Sequence, residues 1–210
     1  MNEISVSLAL LDFVPVALCG IVVIVLLKDF YSRMTAWQYS FFSAGSFILI
    51  FGGFLKAVQK LIYALEICDL AVLKEQFFLN QSLAFIFLSI ATFGMLIKNK
   101  KDVKLYSAVS IPVITSHLPY IILMALGLIV WYIGLIIYSV RLKSKKGVIF
   151  ILCALVVMLI NTRLGAKFDN SKGILHWIAE SFNSVAQTFL LAGTITMHKA
   201  MQLEDAEKAS

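Results

Sequence analysis

Apolar residues in this chain gather into runs of about twenty, and that run length limits its fold more than any other feature. A bilayer core of roughly 30 Å is crossed by about 20 helical residues, because a backbone in hydrocarbon must satisfy its own hydrogen bonds. Five segments meet the test, at 6–28, 37–65, 82–97, 119–140 and 147–160, the third and fifth being slightly short. A sixth, 173–197, carries Glu180, Asn183 and Gln187 and is expected to turn that side toward protein or water.

Composition agrees with this reading. Of 210 residues, 60% are hydrophobic and 14% charged, against about 25% charged in globular chains. A soluble enzyme and a disordered chain are both excluded. The net charge of +6 sits in short clusters between apolar runs, so it reads as a signal of membrane orientation and not of nucleic-acid binding. Cys19, Cys68 and Cys153 have neither CxxC nor metal-ligand spacing and read as packing residues. Residues 1–5 carry no basic region and no cleavage site, so the first run is expected to stay as a span.

Residues 105–117 decide the topology. Thirteen residues cover only about 20 Å of helix, which suits a loop or a re-entrant segment. Charge argues for a crossing. Lys98, Lys100, Lys101 and Lys104 precede the segment, and Arg141, Lys143, Lys145 and Lys146 follow the next span. With six spans these clusters fall on opposite sides and Lys and Arg divide nine to seven; with seven spans they divide twelve to four. The positive-inside bias favours seven, with the N-terminus outside, the C-terminus cytoplasmic and the acidic segment 66–81 outside. The expected fold is therefore an all-α polytopic bundle in the plasma (inner) membrane, forming one transmembrane domain over 1–200 with a cytoplasmic tail, 201–210. The alternative is six spans with a re-entrant segment.

Within that domain a repeat is legible. At a shift of 102 residues, Ser82, Ala84, Phe87, Leu88, Thr92 and Met95 recur as Ser184, Ala186, Phe189, Leu190, Thr194 and Met197. At 103, Phe47, Ile48 and Leu49 recur as Phe150, Ile151 and Leu152; at 104, Pro15 meets Pro119. Two three-helix repeats, about 5–100 and 118–200, would then flank a linker helix at about 103–117. This organisation, with prolines in the first helix of each repeat, resembles the 3+1+3 SWEET and PQ-loop transporters. The resemblance is architectural and spans the whole chain. It implies two parallel helix triplets moving about a central site and carries over no site residues, because the naming proline-glutamine pair is not in this sequence.

Ionisable groups inside spans are costly and face a cavity or each other. Counting 1.5 Å per residue from the outer surface puts Asp12, Lys60 and Glu180 about 8–10 Å deep and Lys56 about 14 Å deep. His176, Glu180, Asn183 and Gln187 share one helical stripe, and Lys56 and Lys60 share another. Asp12, Lys56, Lys60, His176, Glu180, Asn183 and Gln187 are therefore the candidate ligand-binding residues, with a structural salt-bridge network as the competing explanation. Tyr63, Trp131, Tyr132 and Tyr138 read as interface anchors or packing, and His198 as a cation at the inner end of the last helix. Three histidines on separate segments give no zinc spacing, and no P-loop, GxSxG or dinucleotide motif is present, so no catalytic residue, metal or cofactor is expected. The function expected is that of a carrier or facilitator for a small polar solute, anionic or zwitterionic, without enzymatic activity. A sensing receptor or accessory subunit using the same outer pocket is the alternative. The lipid bilayer and the solute are the expected partners, nucleic acid is not one, and oligomerisation is left open.

Overall fold

The computed structural model of this chain describes residues 5–68, 70–97, 118–167 and 173–209. They form seven helical elements: α1 (Val6–Leu11), α2 (Phe13–Phe30), α3 (Ala36–Ala64), α4 (Ala71–Leu96), α5 (Leu118–Arg141), α6 (Lys145–Lys167) and α7 (Gly173–Ala209). Five stretches are long and apolar enough to cross a membrane: Val6–Phe30, Ala36–Ala64, Gln76–Leu96, Pro119–Arg141 and Lys145–Thr162. The protein is a multi-pass helical membrane bundle. The linker helix expected at 103–117, and His117 with it, lies outside the described residues.

The first span is the helix expected at 6–28: Val6–Phe30 runs as one rod of 25 residues, with a single irregular residue, Asp12, whose dihedrals stay helical at φ −60° and ψ −24°. Pro15 accounts for the irregularity, since its ring removes the N–H that would bond to the carbonyl of residue 11 and crowds that carbonyl. Pro119 stands in the first described turn of α5. One departure concerns 66–81, expected as a loop. Here α4 already begins at Ala71, while only Gln76–Leu96 is apolar enough to count as a span. Hydropathy marks where hydrocarbon would begin and not where a helix ends.

The rods close into a ring. Each of α2 to α7 packs on the next, α7 packs back on α2, and α1 touches α3 and α7. Close approach depends on glycine at specific points: a Cβ on Gly45 would come within 2.9 Å of the Ala84 carbonyl of α4, and one on Gly193 within 2.6 Å of Ile151 of α6. Aromatic side chains fill the deeper part of the ring. Phe30 packs edge-on against both Phe42 and Tyr138, and Trp131 and Tyr132, each 1% exposed, sit beside Phe85. Trp131, Tyr132 and Tyr138 are thus core packing and not interface anchors.

Within the ring α4 and α5 run parallel. Ser89 of α4 donates to the Gly127 carbonyl at 2.9 Å, and Arg141 at the end of α5 donates to the Leu96 carbonyl at the end of α4 at 2.8 Å. Leu96 and Arg141 therefore lie at one end of the bundle and Leu118 at the other.

Residues matched by the two sequence shifts compare unevenly in their burial. Ala84 and Ala186, Leu88 and Leu190, and Thr92 and Thr194 are all buried, and the ring pair Phe41–Phe87 between α3 and α4 has a counterpart in Phe150–Phe189 between α6 and α7. The triplet shifted by 103 is out of phase. Phe47 is exposed and Leu49 buried, whereas Leu152 is exposed and Ile151 buried. Matching letters on α3 and α6 thus point in different directions.

One measurement checks the parallel pair. In a background lacking the native cysteines, Ile97→Cys and Lys143→Cys are expected to react with an impermeant thiol reagent from the same side of the membrane; labelling from opposite sides would sink the α4–α5 arrangement.

Candidate functional site

The charged layer assembles around Asp12 of the first span. Lys60 of α3 reaches across the bundle so that its Nζ lies 2.6 Å from Asp12 Oδ2 and 2.6 Å from Glu180 Oε1 of α7. Lys56, one turn along α3, lies 3.3 Å from the same Glu180 oxygen and 4.9 Å from the centre of the Phe77 ring on α4. Asp12, Lys60 and Glu180 are 4%, 8% and 5% exposed, which takes the three groups out of contact with surrounding solvent or lipid. Two ammonium and two carboxylate groups balance to zero net charge, which is the condition under which charges persist at such depth.

The contacts differ in kind. Lys60 donates a hydrogen bond to Glu180, whereas Asp12 Oδ2, equally close, has no hydrogen-bond partner aligned with it. The Asp12–Lys60 attraction is therefore coulombic, and that carboxylate oxygen keeps acceptor capacity. Local structure places Asp12 at the one irregular residue of the first span, between α1 and α2, where α1 touches both α3 and α7.

Of the seven residues singled out from the sequence, Asp12, Lys56, Lys60 and Glu180 meet in one network. His176 lies one turn toward the start of α7, half-buried; Asn183 and Gln187 follow Glu180 along the helix, and Gln187 Oε1 is buried with no hydrogen-bond partner. Gln59, beside the lysines, is also buried. Phe77 escaped the sequence reading because it fell in a segment expected to be a loop. An aromatic three residues before a polar Asn80–Gln81 pair was its only signal.

A second polar assembly occupies the other end of the bundle. His198 Nδ1 of α7 lies 2.7 Å from Asp29 Oδ1 of α2, and Gln202 lies 3.0 Å from the other ring nitrogen. Below it, Arg33 from the α2–α3 turn contacts Glu204 at 3.1 Å and Asp205 at 2.7 Å. Hydrogen bonds from Lys208 and Arg33 hold the Glu204 carboxyl below its usual range. His198 had been assigned only a dipole role; Asp29, its partner, went unnoticed because it stands at the polar end of an apolar run, where an acid attracts no attention.

Among the described residues no three His, Cys, Asp or Glu side chains converge as metal ligands. The four-residue network can hold an anion on its lysines or a proton on its carboxylates. No family model matches the chain, and no curated protein and no solved structure matches it significantly.

Breaking the network from one side should be costly. Glu180→Gln is expected to destabilise the protein by about 3–5 kcal/mol, since it strands lysine charge. Adding Lys60→Met should recover part of that loss, because Asp12 and Lys56 remain as a neutral pair; strictly additive losses in thermal unfolding in detergent would show that the groups do not interact.

Proposed function

We propose that this protein is a secondary carrier or facilitator for a small polar solute, anionic or zwitterionic, whose acidic group exchanges places with Glu180 and Asp12 on the two lysines. The observation that carries the reading is the sharing of one buried ammonium, Lys60, between carboxylates on two separate helices. Ionisable groups held inside spans mark substrate and ion pathways, because packing alone seldom repays their burial. A solute carboxylate arriving at Lys56, the most exposed of the four, would satisfy a cation already balanced by protein acids and so loosen α7 from α3. The displaced carboxylate becomes a place for a proton.

Seven spans are part of the proposal. With α4 and α5 parallel, the chain leaving Leu96 has to reach the opposite end of the bundle before Leu118, and a crossing at 98–117 meets that need. Both lysine clusters then share one face, taken as cytoplasmic, with the N-terminus outside in the plasma membrane. The helix triplets α2–α4 and α5–α7 would form two repeats of like direction, an architecture similar to the SWEET and PQ-loop transporters.

One observation favours a sensor instead. Toward the other end the ring interior is filled by Phe30, Phe42, Trp131, Tyr132 and Tyr138, so a solute held at the lysines meets an aromatic plug in this conformation. A carrier must unpack that plug; a receptor need not.

Flux separates the two. Proteoliposomes are expected to take up or exchange a small carboxylate or zwitterion from a screened panel, with Lys56→Gln weakening apparent affinity roughly tenfold or more, the loss of one charged hydrogen bond. Binding that responds to Lys56 without flux would leave the sensor standing. If Lys56→Gln changes thermal stability but neither binding nor flux, the layer is a structural tie.

A further inference from the structure

Hydroxyl groups in these helices mostly satisfy themselves. Thr162, Ser184, Thr188 and Thr196 each donate to a carbonyl of their own helix three or four residues back. Thr194 and Ser46 do not: both are buried, at 0% and 1% exposure, and their hydroxyl oxygens have no protein partner. Gln187 Oε1 and Asp29 Oδ2 are in the same condition. A buried polar atom without a partner is uncommon, and one explanation that restores its hydrogen bond is ordered water.

Thr92 on α4, Trp131 on α5 and Asn161 on α6 carry further such atoms, but those on α3 and α7 fall into line. Glu180, Gln187, Thr194 and His198 follow one another at steps of seven, seven and four residues, which keeps them on one stripe of α7. The stripe's ends are fixed by contact, Glu180 to Lys60 and His198 to Asp29 of α2. On α3, Lys60, Gly53 and Ser46 follow the same seven-residue rule, and a Cβ on Gly53 would meet Val16 of α2 at 3.3 Å. Both stripes therefore look toward α2. Ser46 stands fourteen residues from Lys60, and Thr194 stands fourteen residues from Glu180; at 1.5 Å per residue both lie about 21 Å beyond the charged layer. Two unpartnered hydroxyls thus share one depth on the two helices that flank α2, just short of the Asp29–His198 pair.

We propose that this line conducts protons between the outer carboxylates and the Asp29–His198 pair, through water held by Gln187, Ser46 and Thr194. The chemistry of each group suits its place. Hydroxyls both donate and accept, so Thr194 and Ser46 can pass a proton on; an amide oxygen only accepts, so Gln187 anchors a water and does not relay. The proton enters on a carboxylate of Asp12 or Glu180, is handed from water to hydroxyl to water, and leaves through the His198 imidazole, which ends in the state it began. Steps of about 10 Å between Glu180, Gln187 and Thr194 take two or three waters each at hydrogen-bond spacing. Between Gln187 and Thr194 lie Leu49 and Leu190, both buried, and this short apolar collar is where the line conducts only when wetted.

Charged and titratable groups stand at both ends of the line. Around Glu180 are Lys56, Lys60 and Asp12, with His176 one turn away on the same stripe; around His198 stands Asp29, with Arg33, Tyr138, Glu204 and Asp205 below. At middle depth, Cys19 and Tyr132 are buried. The inference deepens the carrier reading by naming the proton as coupling ion, and rests on it only for that role.

The test uses the full chain in liposomes with a trapped pH-sensitive dye and a potassium diffusion potential, so that the proton itself is the probe. Wild-type vesicles are expected to acidify faster than protein-free ones. Thr194→Val, nearly isosteric, should slow this at least tenfold, Thr194→Ser should restore it, and Gln187→Leu should slow it independently. Wild-type rates equal to those of protein-free vesicles overturn the proposal, as does full conduction by folded Thr194→Val or, should that variant not fold, by Gln187→Leu. Proton flux without any solute uptake keeps the conduction line and loses the carrier; solute uptake without proton flux does the reverse.

Discussion

Four charges that neutralise one another inside an apolar bundle set the terms for everything around them. A single lysine or carboxylate at that depth costs several kcal/mol, and here the cost is met by bringing α3, α7 and Asp12 of the first span together at one point. Among the described residues Lys60 is the one paired with both acids. The same demand makes the layer responsive: a network in balance is disturbed by any charge that enters it or any proton that leaves it.

Charge is concentrated in two layers along the bundle. One is buried and balanced, and the other joins the α2–α3 turn to the end of α7. Trp131 and Tyr132 are buried in the ring, and Phe30 and Tyr138 pack edge-on beside the second layer. Parallel packing of α4 on α5, sealed by Arg141 on the Leu96 carbonyl, gives the two helix triplets a common direction.

Much of this could be read from residue order, because depth in a membrane is arithmetic. Counting 1.5 Å per residue from the ends of apolar runs brought Asp12, Lys56, Lys60 and Glu180 to one level before any contact was visible. Counting failed where it had no edge to count from. Phe77 and the first turns of α4 lie beyond the apolar stretch, so hydropathy is blind to a helix there. The pairing of Asp29 with His198 joins residues 169 apart at polar ends, where sequence offers only a solvated terminus. Letter matches on α3 and α6 misled for a different reason: in a lipid-facing helix Phe, Ile and Leu serve equally well inside and outside, so identity says nothing of direction.

The length of α7 has a mechanical consequence. Its 37 residues make a rod of about 56 Å, longer than a bilayer with its headgroups at about 40–45 Å. Glu180 grips it near one end; at the other, Arg33 fastens Glu204 and Asp205 to the turn that joins α2 and α3. Two anchorages about 36 Å apart on one stiff beam form a lever. Tilting it at Glu180 would displace the final turns beyond Arg33, so an event at the charged layer would be delivered as movement of the exposed helical tip at the opposite end of the bundle.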